Sequence, residues 1–157
     1  ALGGWNEKDY EHSNTIECYD PETDRWEFKA KTKNAWGEMN AVSFKNKIYI
    51  VGPEEFEVYD PETDSWEEMS KPNYNISRRL VVFEDKLLHV GGKIYEGSRN
   101  FSRIIYTPYV EYLDPTTNVW IQTKSMNFAR ALQGTAVVKE PCFCKDFSCS
   151  RFHSNKE

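Results

Sequence analysis

From residue 40 onward, apolar and polar positions alternate with a period of two, the spacing of a half-buried β-strand and not the 3.6 of a helix. Asn40-Ala-Val-Ser-Phe-Lys45 and Lys47-Ile-Tyr-Ile-Val-Gly52 meet at a tight polar turn around Asn46-Lys47 and predict a hairpin. Phe56-Glu-Val-Tyr59 and Ser65-Trp-Glu-Glu-Met69 follow, so the unit over 36–73 reads as four antiparallel strands. A second unit over 74–127 carries the same four marks at 79–84, 86–92, 110–113 and 119–123. Before them lies an incomplete unit over 1–35, with the end of a second strand at 1–4 and further strands at 15–19 and 25–28. Residues 131–139 predict one more first strand, a closing strand, and 140–157 a flexible tail.

The polar punctuation repeats as strictly as the strands. Tyr19-Asp-Pro-Glu-Thr-Asp-Arg-Trp26 returns as Tyr59-Asp-Pro-Glu-Thr-Asp-Ser-Trp66 and, worn down, as Leu113-Asp-Pro-Thr-Thr-Asn-Val-Trp120. Asp20 and Asp60 stand 40 positions apart, and Asp60 and Asp114 stand 54 apart. Trp26 to Gly52 and Trp66 to Gly92 are both 26 residues, so the variable length falls between the glycine and the Asp-Pro turn. A period of this size marks a repeat architecture, because one such unit cannot bury its apolar faces alone.

In each turn the aspartate side chain can accept backbone hydrogen bonds, and the proline after it presets φ for a type I turn. Asp20, Glu22 and Asp24 also alternate as calcium ligands do. The glycine at loop position six and the glutamate at position twelve of an EF-hand are missing, so the turn reading is preferred.

A four-stranded unit whose second strand ends on Gly-Gly, followed by a tyrosine and a tryptophan with six residues between them, resembles the kelch repeat. That resemblance implies an all-β fold, a partial kelch β-propeller of about three four-stranded blades that does not close within this chain. It makes Gly3, Gly4, Tyr19, Trp26, Gly52, Tyr59, Trp66, Gly91, Gly92 and Trp120 structural repeat positions, with the tryptophans packing between adjacent blades. Gly52-Pro53 departs from the glycine pair, and Leu113 stands where a tyrosine is expected. Arg130-Ala-Leu-Gln-Gly-Thr-Ala-Val-Val-Lys-Glu-Pro-Cys142 resembles the closing segment of BTB-kelch proteins. With both ends of such a half-propeller open, the closing strand is expected to be loosely placed or docked on the first unit.

Composition narrows the classes of function. Hydrophobic residues make up 39% and aromatics 15% of 157 residues, enough for a packed core. A net charge of -5 disfavours nucleic acid, which needs a positive field, and no apolar run reaches the length of a membrane span. Four cysteines, three of them crowded at Cys142, Cys144 and Cys149, fit a reducing, cytoplasmic setting better than a disulfide framework. With His153 they have ligand types for zinc but not the spacing of a structural site, so no metal or cofactor is expected. His89 lies in a predicted strand with no second ligand near it, and no nucleophile and base stand at a recognisable spacing, so no enzyme activity is expected.

The resemblance implies a protein-binding surface built from two sets of loops. The loops joining second and third strands cover 5–14, 53–55 and 93–109, and the loops between blades cover 36–38, 75–79 and 128–131. Tyr95, Arg99, Phe101 and Arg103 give the longest loop the aromatic and guanidinium mixture of binding hot spots, a reading preferred over a tolerated insertion. Ser77, Arg78, Arg79 and Arg130 sit in the inter-blade loops and suit an acidic or phosphorylated segment. Trp5 and Trp36 fall outside the tryptophan register and are candidate contact aromatics. By resemblance the function is substrate recognition for a cullin E3 ubiquitin ligase, with the cullin held by a BTB region absent from this chain. The alternative is an actin-associated or other cytoskeletal scaffold, and the sequence does not separate the two.

Overall fold

A computed structural model describes residues 1–6, 10–37, 39–52, 55–71, 79–98 and 101–137. The described residues form strands only, in chain order β1 (Trp5–Asn6), β2 (Glu11–His12), β3 (Ile16–Asp20), β4 (Arg25–Lys29), β5 (Asn40–Phe44), β6 (Lys47–Val51) and β7 (Phe56–Asp60). They continue with β8 (Ser65–Glu68), β9 (Arg79–Phe83), β10 (Lys86–Val90), β11 (Lys93–Ser98), β12 (Phe101–Tyr106), β13 (Val110–Asp114) and β14 (Val119–Gln122). No helix among them is long and apolar enough to cross a membrane.

Two complete four-stranded antiparallel sheets carry the architecture. One runs β5-β6-β7-β8, and the other runs β9-β10-β13-β14, with the hairpin β11-β12 inserted between its second and third strands. The first unit keeps β3 paired with β4, and its remnant of a second strand is a single bridge from Leu2 to Ile16. Left-handed backbone at Lys45 and Asn46, and again at Glu84 and Asp85, closes β5-β6 and β9-β10 through two-residue turns whose twist matches the strands.

The Asp-Pro turns close β3-β4, β7-β8 and β13-β14 identically. Asp20, Asp60 and Asp114 each accept the N–H two residues ahead through a carboxylate oxygen, at 2.9, 3.0 and 2.9 Å. Asp24, Asp64 and Asn118 then take φ of 54°, 48° and 53°, a region that Asp and Asn tolerate better than other side chains. These bonds favour the ionised aspartate, so all three turn carboxyls sit below the usual range. The Thr23 hydroxyl contributes most at Asp20, Lys47 at Asp60, and the Thr116 N–H at Asp114.

The core lies between the two complete sheets. Phe44, Val51 and Phe56 of one meet Leu80, Leu87, Leu113 and Trp120 of the other. The Trp120 ring stands edge-on to Phe56 at 5.3 Å, and its indole N–H donates to the Ser70 carbonyl at 2.8 Å. Asn118 accepts from the Ser70 hydroxyl at 3.1 Å. One blade earlier the same clasp recurs: the Trp66 indole donates to the Ala30 carbonyl at 2.8 Å while the Asp64 carboxylate accepts the Ala30 N–H at 2.9 Å. Each blade thus grips one residue of the preceding blade, four residues past that blade's own tryptophan: Ala30 through its N–H and carbonyl, Ser70 through its hydroxyl and carbonyl. Tyr59 completes the grip by donating to Asp64 at 2.7 Å, and burial together with that carboxylate pushes its hydroxyl up to about 12.

Three expectations change. The stretch 93–109, read as a loop, folds into a six-pair ladder from Lys93↔Tyr106 to Ser98↔Phe101, because its alternating residues supply their own strand partners. The loop 5–14 likewise holds a short ladder, Trp5↔His12 and Asn6↔Glu11. Of the expected closing strand, loosely placed or docked on the first unit, the described residues 131–137 form no strand, and 138–139 lie outside the described residues. Thr135, Ala136 and Val137 instead line a groove with Val81, Phe83, Leu88 and Val90 of the last blade. Among the described residues, the inner edge they would join on the first unit carries only the Leu2–Ile16 bridge.

Candidate functional site

Two of the candidate residues, Arg79 and Arg130, lie at one end of the last blade, where backbone bonds fix the inter-blade segment. Gly92 donates to the Arg130 carbonyl at 2.7 Å, and the Arg130 N–H donates to the Thr107 carbonyl at 3.2 Å. Thr107 in turn donates to Gly92 at 2.9 Å, which ties the base of the β11-β12 hairpin into the same set. Gly91 sits at φ 64°, and a Cβ there would lie 2.5 Å from the Arg130 carbonyl oxygen, so both conformation and space call for glycine. The Gln133 amide donates to the Val90 carbonyl at 2.8 Å, and Arg79 Nε donates to the Gln133 carbonyl at 3.0 Å.

With its backbone held this way, Arg130 presents an exposed guanidinium beside Phe128, itself 71% exposed. The two border a groove of about 330 Å³ with Val90, Met126, Gln133 and Thr135. On the β11-β12 hairpin Ile104, Tyr106 and Arg103 are also exposed, the last opposite Glu96 in the ladder. An apolar floor with a cation at its rim is suited to a peptide carrying both an apolar and an acidic side chain.

The other sequence candidates distribute as follows. Arg79 reaches the segment that carries Arg130 by its bond to the Gln133 carbonyl, which sequence spacing alone did not indicate. Tyr95 and Phe101 occupy strand positions in the hairpin. Ser77, Arg78 and Arg99, and the cysteine and histidine tail, lie outside the described residues. Trp5 is exposed and packs edge-on against His12 at 5.0 Å, away from the Arg130 groove in the fold of the first unit.

Trp36 corrects the expectation of an exposed contact aromatic, because only 2% of it is accessible. Its ring fills the space above Gly52, where a Cβ would come within 1.6 Å of the indole. Gly52 therefore has a different reason for lacking a side chain than Gly3 and Gly91, whose φ values are positive. In backbone terms Trp36 is the counterpart of Arg130: Gly4 donates to its carbonyl at 2.8 Å and its N–H donates to Ser13 at 3.0 Å.

Sequence reasoning missed two buried acids. Glu111 and His89 face each other across β13 and β10 with Oε2 and Nδ1 3.4 Å apart, both fully buried. Glu57 holds the matching position on β7 and is 3% accessible, opposite Ile50 where the last blade has His89. Burial, with Glu55 and Glu68 nearby, pushes the Glu57 carboxyl above the usual range. The signal was in the repeat register, since both glutamates precede a turn aspartate by three residues. Among the described residues, no cluster of three or more His, Cys, Asp or Glu side chains could hold a metal ion.

Comparison with known proteins bears on the fold. The kelch motif matches residues 1–32. No curated protein matches the chain. Among solved structures, that of YjhT superposes with a TM-score of 0.64 at 15% identity, over 79% of this chain and 42% of the YjhT chain. The chain thus spans less than half the length of the structure it matches. Together with its stacked four-stranded antiparallel sheets, this makes the chain an open, unclosed partial β-propeller.

Proposed function

We propose that the chain is a protein-binding module that takes a partner segment at the Arg130 end of its last blade. The observation that carries this is the exposed Arg130 and Phe128 pair over a 330 Å³ groove, held by backbone bonds that do not depend on either side chain. Placing exposed side chains on a fixed backbone lowers the ordering cost of binding. The guanidinium suits a carboxylate or phosphate, and the Met126 and Phe128 rim suits an apolar residue beside it.

In the finer reading the partner is a substrate presented to a cullin E3 ubiquitin ligase, with the cullin recruited by a BTB region outside this chain. The resemblance of residues 130–142 to the closing segment of BTB-kelch proteins supports it. Anisotropy titration against arrays of acidic, phosphorylated and neutral peptides tests the coarser claim. Acidic or phosphorylated sequences should bind, and Arg130→Ala should weaken them about tenfold or more while leaving the fold intact. Equal binding by the variant refutes the site. Ubiquitin transfer to the captured partner in a reconstituted cullin complex tests the finer claim, and co-sedimentation with actin filaments without transfer would replace it by a scaffold.

A further inference from the structure

One glutamate position of the repeat has two different surroundings. On β13, Glu111 stands between His89 of β10 and Gln122 of β14, a base and a neutral amide, with its Oε2 3.4 Å from His89 Nδ1. On β7, Glu57 stands between Ile50 of β6 and Glu68 of β8, an alkyl chain and a like charge. Each of these two differences takes away a neighbour that would stabilise a carboxylate.

The remaining neighbours do not replace what is lost. Glu57 is 3% accessible, and its Oε2 accepts no hydrogen bond among the described residues. Tyr59, two residues along the same face of β7, commits its hydroxyl to Asp64 at 2.7 Å. Lys33 is the cation whose charge favours the ionised form, yet its side chain is 76% exposed and pairs with Glu68 at 3.7 Å. Glu55, just ahead of β7, adds a second negative neighbour. Trp36 covers the same face above Gly52, two residues along β6 from Ile50, and its indole nitrogen is likewise buried without a partner.

A charge buried in this way lacks the hydrogen bonds and counter-ion that it needs, so burial favours the neutral acid. Glu55 and Glu68 push the same way, against a smaller pull from Lys33. The face that holds Glu57 and Tyr59 is turned toward the first unit, where Asp64 and Trp66 hold Ala30. Between Ala30 and Trp36 the inter-blade segment bonds back to the first unit through Asn14, Ser13 and Gly4. For Glu57 to ionise in contact with water, this seam must part.

We propose that Glu57 is a proton-operated latch on the seam between the first unit and the 36–73 blade: neutral, it lets Ala30 and Trp36 close over it, and its ionisation loosens the segment that carries them. The sign follows from the neutral acid being the closed form. The seam is tightest below the ordinary carboxylate range, loosens as pH rises from there to the midpoint of the closed state, and changes no further above it.

Hydrogen exchange by NMR across pH on the 157-residue chain, with the Glu57 carboxyl followed by carbon detection, tests the latch. After correction for base catalysis, exchange at the Ala30 amide and the Trp36 and Trp66 indoles should rise about tenfold per pH unit up to the Glu57 midpoint and then level off. Amides of the β6-β7 ladder should keep their protection, which marks a local opening. Glu57→Gln should abolish the rise. Ile50→His, which gives Glu57 the neighbour that Glu111 has, should flatten it. Glu68→Gln alters only an exposed side chain, keeps the test available if Ile50→His does not fold, and should lower the midpoint and shorten the rise together. A Glu57 carboxyl that titrates in the ordinary range, exchange at Ala30 that does not follow it, or a rise that survives Glu57→Gln overturns the proposal.

Discussion

Trp26, Trp66 and Trp120 hold one place in the repeat, yet truncating them to alanine should cost three different amounts. Trp120 is 5% accessible, packs on Phe56 at 5.3 Å and holds the Ser70 carbonyl, so Trp120→Ala removes a large buried ring and orphans an acceptor. Burial of that kind predicts a loss of about 3–5 kcal/mol, a large share of the total stability of a small domain. Trp66 makes the same hydrogen bond from a half-buried position, and about 2 kcal/mol is expected. Trp26 touches mainly Tyr19 and is 57% exposed, so its truncation should cost about 1 kcal/mol or less. Trp120→Phe separates the two terms for the buried case, keeping a ring against Phe56 while removing the indole donor, with about 1 kcal/mol assigned to the bond. Equilibrium urea unfolding supplies the ranking. Equal costs at Trp26 and Trp120, or a Trp120→Ala cost below about 1 kcal/mol, would refute the inter-blade account of these residues.

Glu57 titrates above the usual carboxylate range, so the folded state binds its proton more tightly than the unfolded state, and stability falls as pH rises through that window. Glu57→Gln should therefore raise Tm at neutral pH and have its smallest effect under acid conditions, read by thermal melts across pH. The turn aspartates shift the other way, and the stability that Asp20, Asp60 and Asp114 lend is present at neutral pH and lost as pH falls below the ordinary carboxylate range. Gly91→Ala forces a side chain into left-handed backbone and against the Arg130 carbonyl, and calorimetry should find a loss of about 1–3 kcal/mol. Arg130→Ala, by contrast, keeps both backbone bonds and should change urea stability by no more than about 0.5 kcal/mol while removing partner binding.

The repeat was legible because each turn is encoded in adjacent letters. Asp-Pro followed four residues after the aspartate by Asp or Asn states the side-chain hydrogen bond and the left-handed residue together, and all three turns obey it. The inserted hairpin was less legible, since Ile94, Glu96, Arg103 and Ile105 pair only with one another and carry none of the repeat's landmarks. Trp36 was misread for a steric reason. What buries it is the missing side chain of Gly52, sixteen residues away, and absence leaves no pattern in a hydrophobicity profile. The His89 and Glu111 pair and the bond from Arg79 to Gln133 depend on long-range register, which becomes visible only once the strands are laid side by side.

The backbone bonds at Trp36 and Arg130 make the inter-blade position a socket. Its two hydrogen bonds run through N–H and carbonyl groups that every residue except proline possesses, so the chain path is indifferent to the side chain it carries. One socket holds an indole turned inward and the other a guanidinium turned to solvent. A propeller built this way can carry a mortar residue at one inter-blade position and a contact residue at the next on the same backbone path.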